Sequence, residues 1–160
     1  MNCINEMSVR FLAISENESF ARICVASFCS FLNPTIDEIG DIKTAVSEAV
    51  TNSIVHAYPS KIGYVDINMK LFSNNEIYIS IKDYGVGISD VGKAREPFYT
   101  SKPTKDRSGM GFTVMEGFMD SVDVVSKENR GVEVVLRKKI IEENYAYGGW
   151  FWKPKAIWLN

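Results

Sequence analysis

The sequence has few cysteines, no long apolar run and no apolar leader. Its three cysteines, Cys3, Cys24 and Cys29, are odd in number and lack metal-site spacing, so we expect reduced thiols and a cytoplasmic protein. No segment approaches the length of a transmembrane helix. The first ten residues, MNCINEMSVR, lack the hydrophobic region of a signal peptide. These absences argue against a secreted or membrane-spanning protein.

A strong charge of either sign is also missing. The chain has 18 Lys and Arg against 20 Asp and Glu, a formal net charge of −2, so we expect no direct nucleic-acid partner and no membrane partner. What the sequence does have is an ordinary globular composition, with 46% hydrophobic and 24% charged residues. Its 160 residues fit one domain, which we expect over residues 1–140.

The last twenty residues, 141–160, differ from the rest of the chain. They contain all three tryptophans, Trp150, Trp152 and Trp158, and show no clean period. A weakly docked C-terminal tail is the plainest interpretation. An aromatic anchor for a partner is an alternative. We assign this segment no role.

The spacing of apolar residues predicts eight elements in the order βααββ, loop, αββ. Alternating patterns indicate strands over residues 8–14, 65–71, 77–81, 121–126 and 131–137. Helices are indicated over residues 15–32, 35–56 and 109–119, and the first two begin with capping-box patterns at Ser15 and Thr35. Residues 96–108 are polar and predict a loop. The result is an α+β fold, a two-layer α/β sandwich of a mixed, largely antiparallel sheet with helices on one face.

The second helix carries a polar stripe within an apolar sequence. Glu48, Asn52 and His56 are four residues apart in AVSEAVTNSIVHA, so their side chains leave the same face of the helix. Such a stripe is costly to bury unless it binds something. The apolar residues around it are Ala45, Ala49, Val50, Ile54 and Val55. His56 is the only histidine, and we expect it to have a structural or indirect role.

Two glycine-containing loops follow this helix. Asp83 precedes Gly85 and Gly87 in the run DYGVG, directly after a predicted strand. Further on, Gly109 and Gly111 open a predicted helix, where free N–H groups attract phosphate. Glycine lets the backbone approach a ligand closely. Each motif alone is common, but the three in this order indicate a nucleotide site.

The chemistry of these residues suits Mg·ATP. Asn52 offers Mg²⁺ a neutral oxygen ligand, and Glu48, one turn earlier, can accept a proton from an attacking hydroxyl. Asp83 can accept a hydrogen bond from an exocyclic amine such as adenine N6. Basic residues of the predicted loop can screen phosphate charge; these are Lys102, Lys105 and Arg107.

A second phosphate-binding pattern fails on inspection. Residues 87–94, GISDVGKA, nearly match the P-loop GxxxxGK[ST] and follow a strand. Ala94 stands where the pattern requires a hydroxyl for Mg²⁺, and Asp90 would place a carboxylate near the phosphates. The chain also lacks the repeated βα units of a P-loop fold. We therefore reject this interpretation.

The motifs resemble those of the GHKL ATPases. SEAVTNSIVHAY is similar to their N box, DYGVGI to their G1 box and RSGMGFTVME to their G2 box. Within that superfamily, EIGDIKTAVSEAVTNSIVHAY, EPFYTSKP and SGMGFTVMEGFMD resemble the family of sporulation anti-sigma F factors, which are protein-serine kinases. The resemblance covers roughly residues 4 to 140.

The resemblance implies a Bergerat ATP-binding fold and a homodimer that binds ATP or ADP with Mg²⁺. It implies inhibition of a sporulation sigma factor, sigma F, and phosphorylation of a serine on a STAS-type anti-anti-sigma protein. Glu48 would be the general base, Asn52 the Mg²⁺ ligand and Asp83 the adenine acceptor. The other nucleotide-binding positions would be Gly85, Gly87, Lys102, Arg107, Gly109, Met110 and Gly111. Glu16 and Arg22 of the first helix would contact partners.

One departure and three alternatives stay open. The family often has Gly-Thr before its last strand, with the threonine near adenine, whereas this chain has Gly131-Val132. The same motifs fit a stress-response anti-sigma kinase with another sigma partner. They also fit a binding module that holds ATP without transferring phosphate, or a detached histidine-kinase catalytic domain.

Overall fold

The computed structural model describes residues 1–97 and 109–141. Its elements in chain order are β1 (Cys3–Leu12), α1 (Glu16–Cys29), a 3-10 turn (Ser30–Leu32), α2 (Ile36–His56), β2 (Tyr64–Phe72), β3 (Glu76–Asp83), α3 (Val91–Ala94), α4 (Gly111–Phe118), β4 (Ser121–Ser126) and β5 (Val132–Lys139). The predicted order is confirmed for these residues, with α3 as an additional short helix. Lys102, Lys105, Arg107 and all but the first residue of the segment 141–160 lie outside the described residues, so their roles stay predictions.

The five strands form one sheet in the order β1-β2-β3-β5-β4. All four pairings between neighbouring strands are antiparallel. The α+β class is confirmed, but the prediction that the sheet is mixed was wrong. Strands β1, β3 and β4 run in the same direction, and a mixed sheet would need two parallel strands such as these to pair. Strand β2 separates β1 from β3 and strand β5 separates β3 from β4, so no two of them are neighbours.

The core lies between one face of the sheet and the helices. Alternate residues of β2 and β3 face it and are at most 1% exposed: Val65, Ile67, Met69, Leu71, Ile77, Ile79 and Ile81. The apolar stripe of α2 meets them and is equally buried: Ile42, Ala45, Val46, Ala49 and Val50. Each large aliphatic side chain buried in this way contributes about 1.5–3 kcal/mol to folding. The opposite face of the sheet carries polar partners such as Arg10 and Asp66.

The helix starts differ from each other. At α2 the predicted capping box is confirmed, because Glu38 N donates to Thr35 Oγ1 at 3.1 Å and Thr35 N donates to Glu38 Oε2 at 2.8 Å. At α1 it is wrong: Ser15 has a helical backbone and makes no side-chain cap. The Glu18 carboxylate that would complete the box accepts a hydrogen bond from Ser47 of α2 instead.

Lys138 links three elements by hydrogen bonds. Lys138 Nζ on β5 donates to Asp41 Oδ2 of α2 at 3.1 Å and to the Phe118 carbonyl at the end of α4 at 2.7 Å. Its side chain is only 12% exposed. These two hydrogen bonds hold α2, α4 and β5 together. None of the helices in residues 1–97 and 109–141 is both long and apolar enough to cross a membrane.

Candidate functional site

A cavity of about 570 Å³ opens between α2, the loop after β3 and the start of α4. It collects most of the site residues that the sequence predicts, from four separate elements. Those that line it are Glu48, Asn52, Asp83, Gly87, Gly109, Met110 and Gly111, and His56 lines it as well. Gly85 does not line it, and Lys102 and Arg107 lie outside the described residues. A volume of this size accommodates a nucleotide-sized ligand.

The side chains of Glu48 and Asn52 on α2 face the first turn of α4. A Cβ atom added to Gly111 would lie 3.1 Å from Glu48 Oε2 and 3.2 Å from Asn52 Nδ2. Glycine at this position therefore keeps open the space in front of both side chains. Gly109 has a φ of +66°, a conformation that glycine adopts without strain. The first turn of α4, where the N–H groups of a helix lack partners within the helix, thus lies next to Glu48 and Asn52.

Glu48 is a carboxylate in a partly dry setting. Burial raises its pKa above the ordinary range, and the nearby negative charge of Glu18 raises the pKa further. A carboxylate with a raised pKa holds a proton more tightly than a solvated one. Glu48 is therefore suited to accept a proton during a reaction.

Asp83 is the most buried carboxylate of the cavity, with 3% of its surface exposed. Its Oδ1 accepts hydrogen bonds from Gly85 N at 3.0 Å and from Val132 N at 3.1 Å. Burial raises the pKa of Asp83, and these N–H groups lower it in part. The two backbone donors fix the orientation of the carboxylate at one end of the cavity.

The glycines of the DYGVG loop serve close packing. A Cβ on Gly85 would lie 2.1 Å from the Ala57 carbonyl oxygen, and the next residue, Val86, donates its N–H to that oxygen at 3.0 Å. Gly87 has a φ of +73°, and a Cβ there would lie 2.3 Å from the Lys127 carbonyl oxygen. Gly85 thus lets the loop pack closely against the end of α2. Gly87 lines the cavity and packs against Lys127.

The sequence points to Gly131 and Val132 only as a departure from the Gly-Thr of the family, and it does not predict the rest of the apolar lining. Gly131 was predicted as the first residue of the last strand, but it has a φ of +83°, and a Cβ there would lie 2.0 Å from the Asp83 carbonyl oxygen. The apolar walls include Ala57, Val86, Ile88, Phe112, Val132 and Val134. Apart from Val132, their pattern does not differ from that of core residues, so nothing in the sequence marks them. They give the cavity apolar walls that are suited to a flat ring.

A divalent cation in this cavity would depend on the ligand that it accompanies. Among the described residues, no group of three or more His, Cys, Asp and Glu side chains lies close enough together to hold a metal ion. Mg²⁺ commonly takes one or two protein oxygens and completes its shell with phosphate and water. The Asn52 carboxamide beside the start of α4 fits that requirement.

The remaining predicted positions lie away from the cavity. Glu16 is exposed in the first turn of α1. Arg22 is half-buried, and its Nε lies 3.9 Å from Glu18 Oε1. Six residues separate them, which turns a helix by about 240°, so they leave α1 in different directions. The P-loop-like segment has no phosphate loop, since Asp90 Oδ1 accepts the Lys93 N–H and caps α3.

Relatives with known names match most of the chain. The family described as histidine kinase-like ATPase domain matches residues 16–138. An anti-sigma F factor of Oceanobacillus iheyensis is 51% identical over 143 residues, which cover 89% of this chain and 98% of the relative. An anti-sigma F factor of Clostridium acetobutylicum is 53% identical over 135 residues, covering 84% of this chain and 94% of the relative.

Solved structures share the fold. The RsbU and RsbW domains of a Mycobacterium tuberculosis protein superpose with a TM-score of 0.62 at 14% identity, covering 85% of this chain and 32% of that one. The catalytic domain of the histidine kinase ThkA gives 0.53 at 16% identity, covering 84% and 96%. Fold, family match and sequence identity agree, and the chain belongs to the histidine kinase-like ATPase domain family and, within it, to the anti-sigma F factors.

Proposed function

We propose that this protein is an ATP-dependent anti-sigma factor and a protein-serine kinase. It binds and inhibits a sporulation sigma factor, sigma F, and phosphorylates a serine of a STAS-type anti-anti-sigma protein. The observation that carries the proposal is the cavity itself, in which Glu48 and Asn52 face the start of α4 at one end and Asp83 lies buried at the other. The names of the relatives give the class of partner.

In this proposal the cavity has an adenine end and a phosphate end. At the first, Asp83 accepts a hydrogen bond from the exocyclic amine of adenine while the apolar walls cover the ring. At the second, the N–H groups of Gly109, Met110 and Gly111 and the dipole of α4 receive phosphate oxygens. Asn52, which lies beside the start of α4, would supply an oxygen ligand to Mg²⁺. Lys102 and Arg107 are further proposed phosphate contacts.

Glu48 performs the chemistry that this chain contributes. Its carboxylate accepts the proton of the serine hydroxyl as the serine oxygen bonds to the γ-phosphorus and the bond from that phosphorus to the ADP oxygen breaks. Bound Mg²⁺ would neutralise the charge on the phosphates. Phosphoryl transfer consists mainly of positioning and charge stabilisation, so one base, one metal ligand and a helix N-terminus are sufficient.

The proposed partners contact α1 through Glu16 and Arg22. Both are charged residues on a helix that packs on α2, the helix that carries Glu48 and Asn52. The active form is proposed to be a cytoplasmic homodimer, as the family resemblance implies. Binding of the sigma factor is tested by capture on immobilised protein, with Arg22→Ala expected to weaken it and Lys43→Ala on α2 as the control.

Phosphate transfer is the deciding test. The purified protein is incubated with Mg·ATP and a small anti-anti-sigma protein from the same genome, and the products are measured by intact mass and phosphosite mapping. We expect one added phosphate on a serine of the partner. An acid-labile product on a histidine would point to the histidine-kinase alternative. ATP binding without transfer would point to the binding module, and capture of a different sigma factor to the stress-response kinase.

The base is tested by Glu48→Gln. This variant keeps the shape of the side chain but cannot take a proton, so transfer should fall by at least about 100-fold while ATP still binds. Glu6→Gln, on the outer face of the sheet, is the matched control. Transfer at the wild-type rate in Glu48→Gln would remove Glu48 from this role.

A further inference from the structure

The side chain of Tyr58 connects three segments beside the cavity. Tyr58 directly follows α2 and its capping residue Ala57. Its phenol oxygen accepts a hydrogen bond from Tyr84 N at 2.8 Å and donates one to the Tyr64 carbonyl at 2.6 Å. One hydroxyl thus joins the end of α2, the start of β2 and the first residue after β3.

The peptide bond that Tyr58 contacts is the one that follows Asp83. Tyr84 N belongs to the Asp83–Tyr84 peptide, and on the other side of that peptide the Asp83 carbonyl packs against Gly131 so closely that a Cβ there would lie 2.0 Å away. The N–H is therefore held by Tyr58 and the C=O is confined by Gly131. The backbone of Asp83 cannot rotate without losing one of these contacts.

A glycine makes room for this arrangement. A Cβ added to Gly63 would lie 2.1 Å from the ring atoms Cε1 and Cζ of Tyr58. The φ of Gly63 is not in the left-handed region, so the demand for glycine here comes from the Tyr58 ring and not from the backbone. Residues 58 and 63 form a matched pair, in which one supplies the ring and the other supplies the space.

We propose that Tyr58, seated on Gly63, is a positioning residue that sets the base selectivity of the cavity by holding the Asp83–Tyr84 peptide. The inference rests on the proposed function, since it requires a nucleotide whose base meets Asp83. Tyr58 does not touch the base. It acts through Asp83, whose carboxylate favours an amine, as in adenine, and disfavours the carbonyl oxygen that guanine presents at the same place.

The test compares the affinities of wild type and Tyr58→Phe for Mg·ATP and Mg·GTP by calorimetry. Removing the hydroxyl frees the Asp83–Tyr84 peptide, so we expect the Kd for ATP to rise about fivefold with little change for GTP. The ratio of the two affinities should fall by the same factor. General destabilisation would weaken both nucleotides equally and leave the ratio unchanged.

Three further variants make the result specific. Gly63→Ala should displace the Tyr58 ring and lower the ratio in the same way, and the double variant should add nothing, because both changes remove one interaction. Tyr78→Phe, the same chemical change on the outer face of β3, should leave the ratio unaltered. An unchanged ratio in Tyr58→Phe would overturn this inference alone, whereas wild-type protein that binds no ATP would overturn the proposed function with it.

Discussion

Glu48 and Asp83 are carboxylates of the same cavity whose pKa values are both raised by burial, yet only Glu48 has a negative neighbour, Glu18. The difference suits Glu48 to act as the general base and Asp83 to act as a fixed hydrogen-bond acceptor. Glu48 must be ionised to accept a proton, so the transfer rate should rise with pH and level off above its raised pKa. The midpoint should lie above about 4.3, the ordinary value for glutamate.

Substitution of Glu18 tests the source of that shift. Glu18→Gln removes the negative charge near Glu48, so the midpoint of the rate profile should move to lower pH. Single-turnover transfer measured between pH 4.5 and pH 8 would detect it. Glu6→Gln, which removes a carboxylate on the outer face of the sheet, is the control. A midpoint that moves up, or does not move, would contradict the assignment.

Asp83→Asn should separate stability from nucleotide affinity. Because burial raises the Asp83 pKa, the native state favours the protonated form, and this contribution to stability is lost as pH rises through the folded pKa. At pH 7 the variant should therefore unfold at a temperature equal to or above that of wild type. Near pH 4 the difference in unfolding temperature should shift towards wild type. Its Oδ1 is occupied by backbone N–H groups, so its NH₂ would face the adenine amine, and ATP affinity should fall at least about tenfold.

At the level of elements, the two helix starts give opposite expectations for similar sequences. Thr35→Ala removes a side-chain oxygen that accepts Glu38 N at 3.1 Å, so it should cost about 1 kcal/mol in the free energy of unfolding. Ser15→Ala removes no cap and should change it little. Urea unfolding of both variants measures the difference. Equal losses would contradict the assigned capping.

The same pair of helix starts explains how far the sequence predicts the structure. A capping-box pattern depends on neighbours within three residues, and at Thr35 it forms because Glu38 Oε2 stays with Thr35 N while Oε1 accepts the distant Ile141 N. At Ser15 the decisive event is non-local, because Glu18 meets Ser47, which is 29 residues away. Local alternation likewise predicts each strand, but the position of β5 between β3 and β4 follows from packing and is absent from any local pattern.

The site follows the same division. Glu48, Asn52 and Asp83 are recognisable because burying a polar side chain in an apolar segment costs free energy unless it has a partner. The apolar walls, such as Ile88 and Phe112, satisfy the same pattern as core residues and stay hidden until the fold brings them to the cavity. Gly85 is a mixed case, since its motif predicts a ligand contact and the structure gives it a contact with Ala57.

For the whole molecule, nucleotide binding should be measurable as stability. A ligand that binds only the folded state at a hundred times its Kd adds about 2.7 kcal/mol. In a chain of this size the unfolding midpoint should rise by about 5 to 10 °C. Scanning calorimetry with and without Mg·ATP measures it, with Asn52→Ala expected to show a smaller rise at the same ligand concentration. An equal rise in that variant would count against the metal assignment.

The place of β5 in the sheet has a consequence for how the protein is made. During synthesis Asp83 leaves the ribosome well before Val132, which supplies one of the two N–H groups on its carboxylate. Until β5 arrives, the edge of β3 that β5 later covers is unpaired. A fragment ending at Ser126 is expected to bind no ATP and to associate through that edge. Prematurely terminated copies would therefore aggregate with one another. They would not compete with the full-length protein for ATP.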